Sequence, residues 1–173
     1  MKRLAPIIAA LAALGVVVAL MLMSDSPPPP PPEPGPIERA MDFYGTRNIF
    51  EQPMGYSEIP EGLGDTRSAT CGACHKEIYA EWQVSTHARA WADDAQFQEE
   101  LKKSRGLTDE KAGDVGWLCI NCHTPMVRQQ PQLVVGLVDD NIKKPIYVDN
   151  PDFDATMQLD AIGCATCHVK DGK

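Results

Sequence analysis

Cys71-Gly72-Ala73-Cys74-His75, Cys119-Ile120-Asn121-Cys122-His123 and Cys164-Ala165-Thr166-Cys167-His168 share one pattern: two cysteines three positions apart, followed at once by histidine. Together they use all six cysteines of the 173-residue chain and three of its four histidines. Two thiols at this spacing can add to the two vinyl groups of one porphyrin, and the next residue then places an imidazole under the ring as proximal iron ligand. The reading is therefore three covalently attached haem c groups. Cys71, Cys74, Cys119, Cys122, Cys164 and Cys167 form the thioethers, and His75, His123 and His168 bind iron. Zinc also takes cysteine and histidine, but three identical units divide poorly into four-ligand sites. Disulfides suit an exported chain but leave the histidines unexplained.

His87 stands outside these motifs. The stretch from Lys76 to Trp91 contains no Gly or Pro and reads as one helix. On a straight helix His87 would lie about 18 Å along the axis from His75, too far to ligate the same iron. It is therefore expected either to reach a neighbouring haem as distal ligand or to be a packing or surface histidine. Cys71-Gly72-Ala73-Cys74-His75, Tyr79, Trp82, Ser85 and His87-Ala88 together resemble a signature of multihaem c-type cytochromes similar to the tetrahaem acceptor of hydroxylamine oxidoreductase. The resemblance covers about 20 residues well, and beyond them the recurring haem motifs carry it. In that family the histidine of the Trp-x-x-Ser-x-His element is a distal ligand to another haem, and the resemblance implies that role for His87. Members usually have more haems and more spare histidines.

Three irons have six axial positions, and four histidines cannot fill them. Met157 and Met54 are candidate substitutes, with Met41 and Met126 less free to serve. Each methionine has packing as its ordinary role. Other sources are an open iron position, a ligand from a partner chain, or a longer protein of which this is the front part, since only five residues follow His168.

Outward from the motifs, Lys2-Arg3 precedes an uncharged, almost wholly apolar run from Leu4 to Met23. That length spans about 30 Å as a helix, the thickness of a bilayer core. The leading positive charges keep the N-terminus cytoplasmic and export the rest. A cleaved signal peptide is the competing reading, but Ala19-Leu20-Met21-Leu22-Met23 is a poor cleavage site. The prolines from Pro27 to Pro32, with Glu33-Pro34-Gly35-Pro36, form a stiff polyproline spacer. The expected organisation is a transmembrane signal-anchor at 1–23, a proline-rich linker at 24–36 and a trihaem cytochrome c domain at 37–173. The haem domain would face the periplasm or cell exterior from the cytoplasmic membrane.

The chain carries 16 basic and 24 acidic residues, a net charge of −8. Nucleic acid is excluded as a partner, because phosphate binding needs a basic face. A redox partner would present a positive patch, although the acidity also serves solubility alone. Further elements read as a helix from Asp93-Asp94 to about Arg105 and a short helix from Thr108 towards the middle motif. Strands at Leu133–Val138 and Ile142–Val148 would flank the turn Asp139-Asp140-Asn141, and a last helix would run from Asp154 to Ala161. Asp139-Asp140 suits a solvated turn better than a calcium site. With three haems in so short a domain, Trp82, Trp91, Trp117 and Phe97 are expected to pack on haem faces, leaving little ordinary side-chain core.

The fold class is therefore mainly α with few regular elements: a compact multihaem cytochrome c domain with short helices around covalent haems, plus one N-terminal transmembrane helix. The expected function is electron transfer from a membrane donor to periplasmic or extracellular acceptors, with redox proteins, among them other multihaem cytochromes, as partners. The alternatives are a reductase of a small nitrogen or sulfur oxyanion at a five-coordinate haem, and a haem subunit or fragment of a larger complex.

Overall fold

The computed structural model describes residues 14–15, 30–48, 51–53, 59–107 and 113–169. The chain divides into two units, Met1–Glu33 and Pro34–Lys173. The expected anchor at 1–23 lies outside the described residues except for Leu14 and Gly15, which are helical. Among the described residues no helix is long and apolar enough to cross a membrane. In the linker, residues 30–35 have no regular structure and are exposed.

The second unit begins with α1 (Pro36–Gly45), so the helix takes the last residue assigned to the linker. Pro36 suits the first helical turn because its missing N–H would have had no partner there. Ala40 and Tyr44, one helical turn apart, are buried. They meet β1 (Gln132–Leu137), which pairs antiparallel with β2 (Pro145–Asp149). The register pairs Leu133 with Val148 and Val134 with Tyr147, then shifts between Val134 and Gly136. The expected hairpin is present, but its second strand starts at Pro145 rather than Ile142. Ile142 stays in the turn, where its carbonyl accepts the Trp117 indole N–H at 3.0 Å. Asp139 and Asp140 both have φ of 52°, the left-handed conformation that aspartate tolerates. Asp140 is exposed and pairs with Arg47.

Helix α2 (Ser68–Gly72) leads directly into α3 (Lys76–Gln83). The expected helix to Trp91 therefore ends eight residues early. The Ser85 hydroxyl accepts from Ala88 N–H, a local bond that competes with helical pairing. Trp82 Nε1–H donates to Ile162 O, and Ile162 N–H donates to His87 O, so the following segment is held by the chain before the third motif. Helix α4 (Ala95–Ser104) follows the expected plan. Asp94 caps it by accepting from Phe97 N–H at 2.8 Å, Lys102 and Lys103 lie in its last turn, and Gly106 leaves it at φ 68°.

Helix α5 (Gly116–His123) contains the whole second motif. The helix expected from Thr108 is not seen in the described part of that stretch, where 113–115 have no regular structure and Gly113 has φ 74°; residues 108–112 lie outside the described residues. Helix α6 (Ala155–Gln158) is a single turn instead of a run to Ala161. The buried Gln129 amide donates to the carbonyls of Met157 and Ala161, and Ala161 adopts φ 48°, so the backbone there is committed elsewhere. Helix α7 (Cys164–His168) is the third motif itself.

An ordinary side-chain core exists. Ala40, Tyr44, Trp117, Val127, Leu133 and Val134 form one buried cluster, with Ile37, Met41 and Phe43 packed on it. This corrects the expectation for Trp117. It is 2% exposed, its ring centroid lies 6.1 Å from Phe43 and 6.4 Å from Tyr44, and α5 presents it to the hairpin. Burial pushes the Tyr44 hydroxyl up to about 12, so it stays neutral in this core. Trp117→Ala is expected to lower stability by about 3–5 kcal/mol, read from chemical denaturation of the haem-loaded protein, because the cluster cannot close over so large a void.

Candidate haem site

The first and third motifs are brought together although 93 positions separate their first cysteines, Cys71 and Cys164. They line one cavity of about 500 Å³. Cys71 and His75 contribute from one side, and Cys164, Cys167 and His168 from the other. Ile78, Trp82 and Ile162 supply apolar wall, and His87 completes the lining. Gly72 lets this corner close. A Cβ there would lie 2.5 Å from the Tyr79 ring, which stacks on Trp82 at 5.6 Å.

Helix α3 ends at Gln83, short of His87. The distance from His75 to His87 is not fixed by a straight helix, and the two imidazoles share this cavity. The cavity also contains His168, and the His87 carbonyl is bonded to Ile162, two residues before the third motif. His87 thus lines the cavity of the first and third motifs.

The second motif forms a separate site. His123 Nδ1 lies 2.5 Å from Ala90 O. The carbonyl can only accept, so Nδ1 carries the proton and Nε2 is left as the ligating nitrogen. Phe97 lies parallel to this imidazole, centroids 3.6 Å apart, and Trp91 packs on Phe97 at 5.8 Å. Phe97 and Trp91 thus lie beside the second motif, and Trp82 lines the shared cavity. The 84–93 segment serves both sites: His87 lines the cavity, and Ala90 holds His123.

The residues fit haem attachment. All six cysteines are free, with Cys71, Cys119 and Cys164 half-buried and Cys74, Cys122 and Cys167 exposed. Burial, then the neighbouring Cys164, pushes the Cys71 thiol up; burial, then Cys122, does the same for Cys119. Among the described residues no group of three or more His, Cys, Asp or Glu side chains could hold a metal ion by itself. The donor set matches one thiol pair and one imidazole per porphyrin, with an apolar wall for the ring.

Met157 is 2% exposed in a cluster with Met126 and Ala165, and its sulfur accepts from the Thr66 hydroxyl at 3.8 Å. It does not line the cavity, and this placement gives it packing work. Met54 lies outside the described residues.

Several positioning residues are neither the cysteines nor the histidines of the motifs. Asn121, the third residue of the second motif, is buried, donates to Glu51 O at 2.7 Å and accepts from the Gln130 amide at 3.2 Å. Gln130 also donates to Thr124 O, and Asn150 donates to the carbonyls of Val127 and Gln130. With Gln129 on Met157 O and Ala161 O, these amides run from the second motif towards the third. Only the composition of Gln129-Gln130, polar residues beside the apolar Pro125-Met126-Val127, hints at this in the sequence.

The motifs and their geometry support a c-type cytochrome, an electron-transfer protein with covalently bound haem. Residues 70–145 match the family described as cytochrome c554 and c-prime, a stretch that includes the first two motifs and His87. No curated protein and no solved structure gives a match.

Proposed function

We propose that this chain is a membrane-anchored trihaem cytochrome that relays electrons from a membrane donor to periplasmic or extracellular acceptors. The observation that carries the reading is the joint placement of the motifs. The first and third share a cavity with His87, and the segment bearing His87 also holds His123 of the second. Short spacing between redox centres is what a relay needs. When bound, the haems supply one-electron chemistry.

The chain's own residues do the rest. The six cysteines would hold the porphyrins through thioethers, and His75, His123 and His168 would ligate iron. The Ala90 carbonyl fixes the His123 tautomer, and Ile78 and Trp82 exclude water from the shared cavity. His87 would supply a further iron ligand to the haem of the first or the third motif. The membrane span, the count of three haems and an acidic face for a basic redox partner belong to the same proposal.

The reaction class is tested with the haem-loaded full chain, reduced and mixed with ferricyanide or with nitrite, hydroxylamine or sulfite. Rapid reoxidation by ferricyanide without catalytic turnover of the small molecules is expected. Multiple turnovers of any of the three would replace the relay with a reductase.

A further inference from the structure

The two short helices of the shared cavity lack caps of their own. Neither Arg67 before α2 nor Gly163 before α7 makes a side-chain capping bond. Each helix is capped instead from the flank of the other. The Asp160 carboxylate, four residues before Cys164, accepts Ser68 N–H at 2.5 Å at the start of α2. The fully buried Ser68 hydroxyl accepts Cys164 N–H at 3.1 Å at the start of α7, across 96 residues of sequence. These are first-turn N–H groups with no partner inside their own helix. Gly163 is needed for approach, not for backbone freedom. Its φ is −80°, but a Cβ would lie 2.8 Å from Ser68 Oγ and 3.4 Å from an Asp160 oxygen. The clasp joins the parts of the chain that carry Cys71 and Cys164, which line the same cavity.

Resting on the haem reading above, we infer that Ser68, Asp160 and Gly163 are positioning residues that set the separation of the first and third haems and hence their mutual interaction. Two paramagnetic irons held close broaden each other's resonance signals. Reduction of one also lowers the potential of the other, because like changes of charge repel at short range. Both effects fall as the separation grows, whereas overall fold and haem content need not change.

The test compares the haem-loaded full chain with its Asp160→Ala, Asp160→Asn and Gly163→Ala variants, by electron paramagnetic resonance and potentiometric titration. Haem per chain is counted by intact mass in each. The expected wild-type result is an interaction-broadened ferric signal and split midpoint potentials. Asp160→Ala and Gly163→Ala are expected to lose both with haem content unchanged. Asp160→Asn retains a carbonyl acceptor and is expected to keep them. Should Gly163→Ala fail to load haem, the Asp160 pair decides, since it differs only in whether an acceptor faces Ser68. Full haem content with no interaction in the wild type, or with the same interaction in Asp160→Ala, overturns the inference and leaves the relay standing. A chain without haem removes the relay reading itself, and the clasp's role with it.

Discussion

His87→Ala is expected to make the reduced, haem-loaded protein bind one more carbon monoxide per chain than the unsubstituted protein. His87 is the one histidine outside the attachment motifs, and it lines the cavity shared by the first and third. Alanine leaves an iron in that cavity without its second imidazole, and carbon monoxide takes the open position. His87→Met keeps a ligand of different chemistry, and a methionine–histidine pair raises the potential of a c-type haem. That variant is expected to bind no extra carbon monoxide and to shift one potential upward. The pair separates ligation from packing, because a packing residue would give the same carbon monoxide uptake in both. Equal uptake by the wild type and His87→Ala would remove His87 from the iron.

The second large effect is expected from Cys71→Ser combined with Cys74→Ser, which blocks attachment at the first motif. The cavity of about 500 Å³ then lacks the ring that would fill it, and with it the burial of apolar surface that the ring would supply. Local unfolding is expected at α2, α3 and α7. The hairpin cluster around Tyr44, Trp117 and Leu133 is closed by side chains alone and is expected to persist. Amide exchange reads the difference: protection lost in α2, α3 and α7 and kept in β1. Uniform loss across the domain would mean that the haems hold the hairpin as well. Unchanged protection everywhere would mean that the first motif carries no structural haem.

The Cys-x-x-Cys-His pattern can be read from the sequence alone because covalent haem chemistry requires an uninterrupted local pattern. The cap at Asp94 and the turn at Asp139-Asp140 were legible for the same reason, each being a local event. Events between distant segments were not. The helix from Lys76 stops at Gln83 because Trp82 and His87 are bonded to Ile162, and nothing in the local pattern encodes that. Trp117, flanked by a haem motif, packs on α1 and the hairpin because tertiary contact decides which face of α5 is buried. The amides of Asn121, Gln129, Gln130 and Asn150 look like ordinary polar residues until their carbonyl partners, brought from other elements, are in place. The clasp from Ser68 to Cys164 depends on the same kind of long-range closure.

The most direct measurement is the intact mass of the full chain under denaturing conditions, after expression with haem-attachment machinery, paired with its alkaline pyridine spectrum. The expected result is a single species carrying three covalently bound haems, with the spectrum of haem joined through two thioethers. A polypeptide whose mass shows no covalent haem would contradict it.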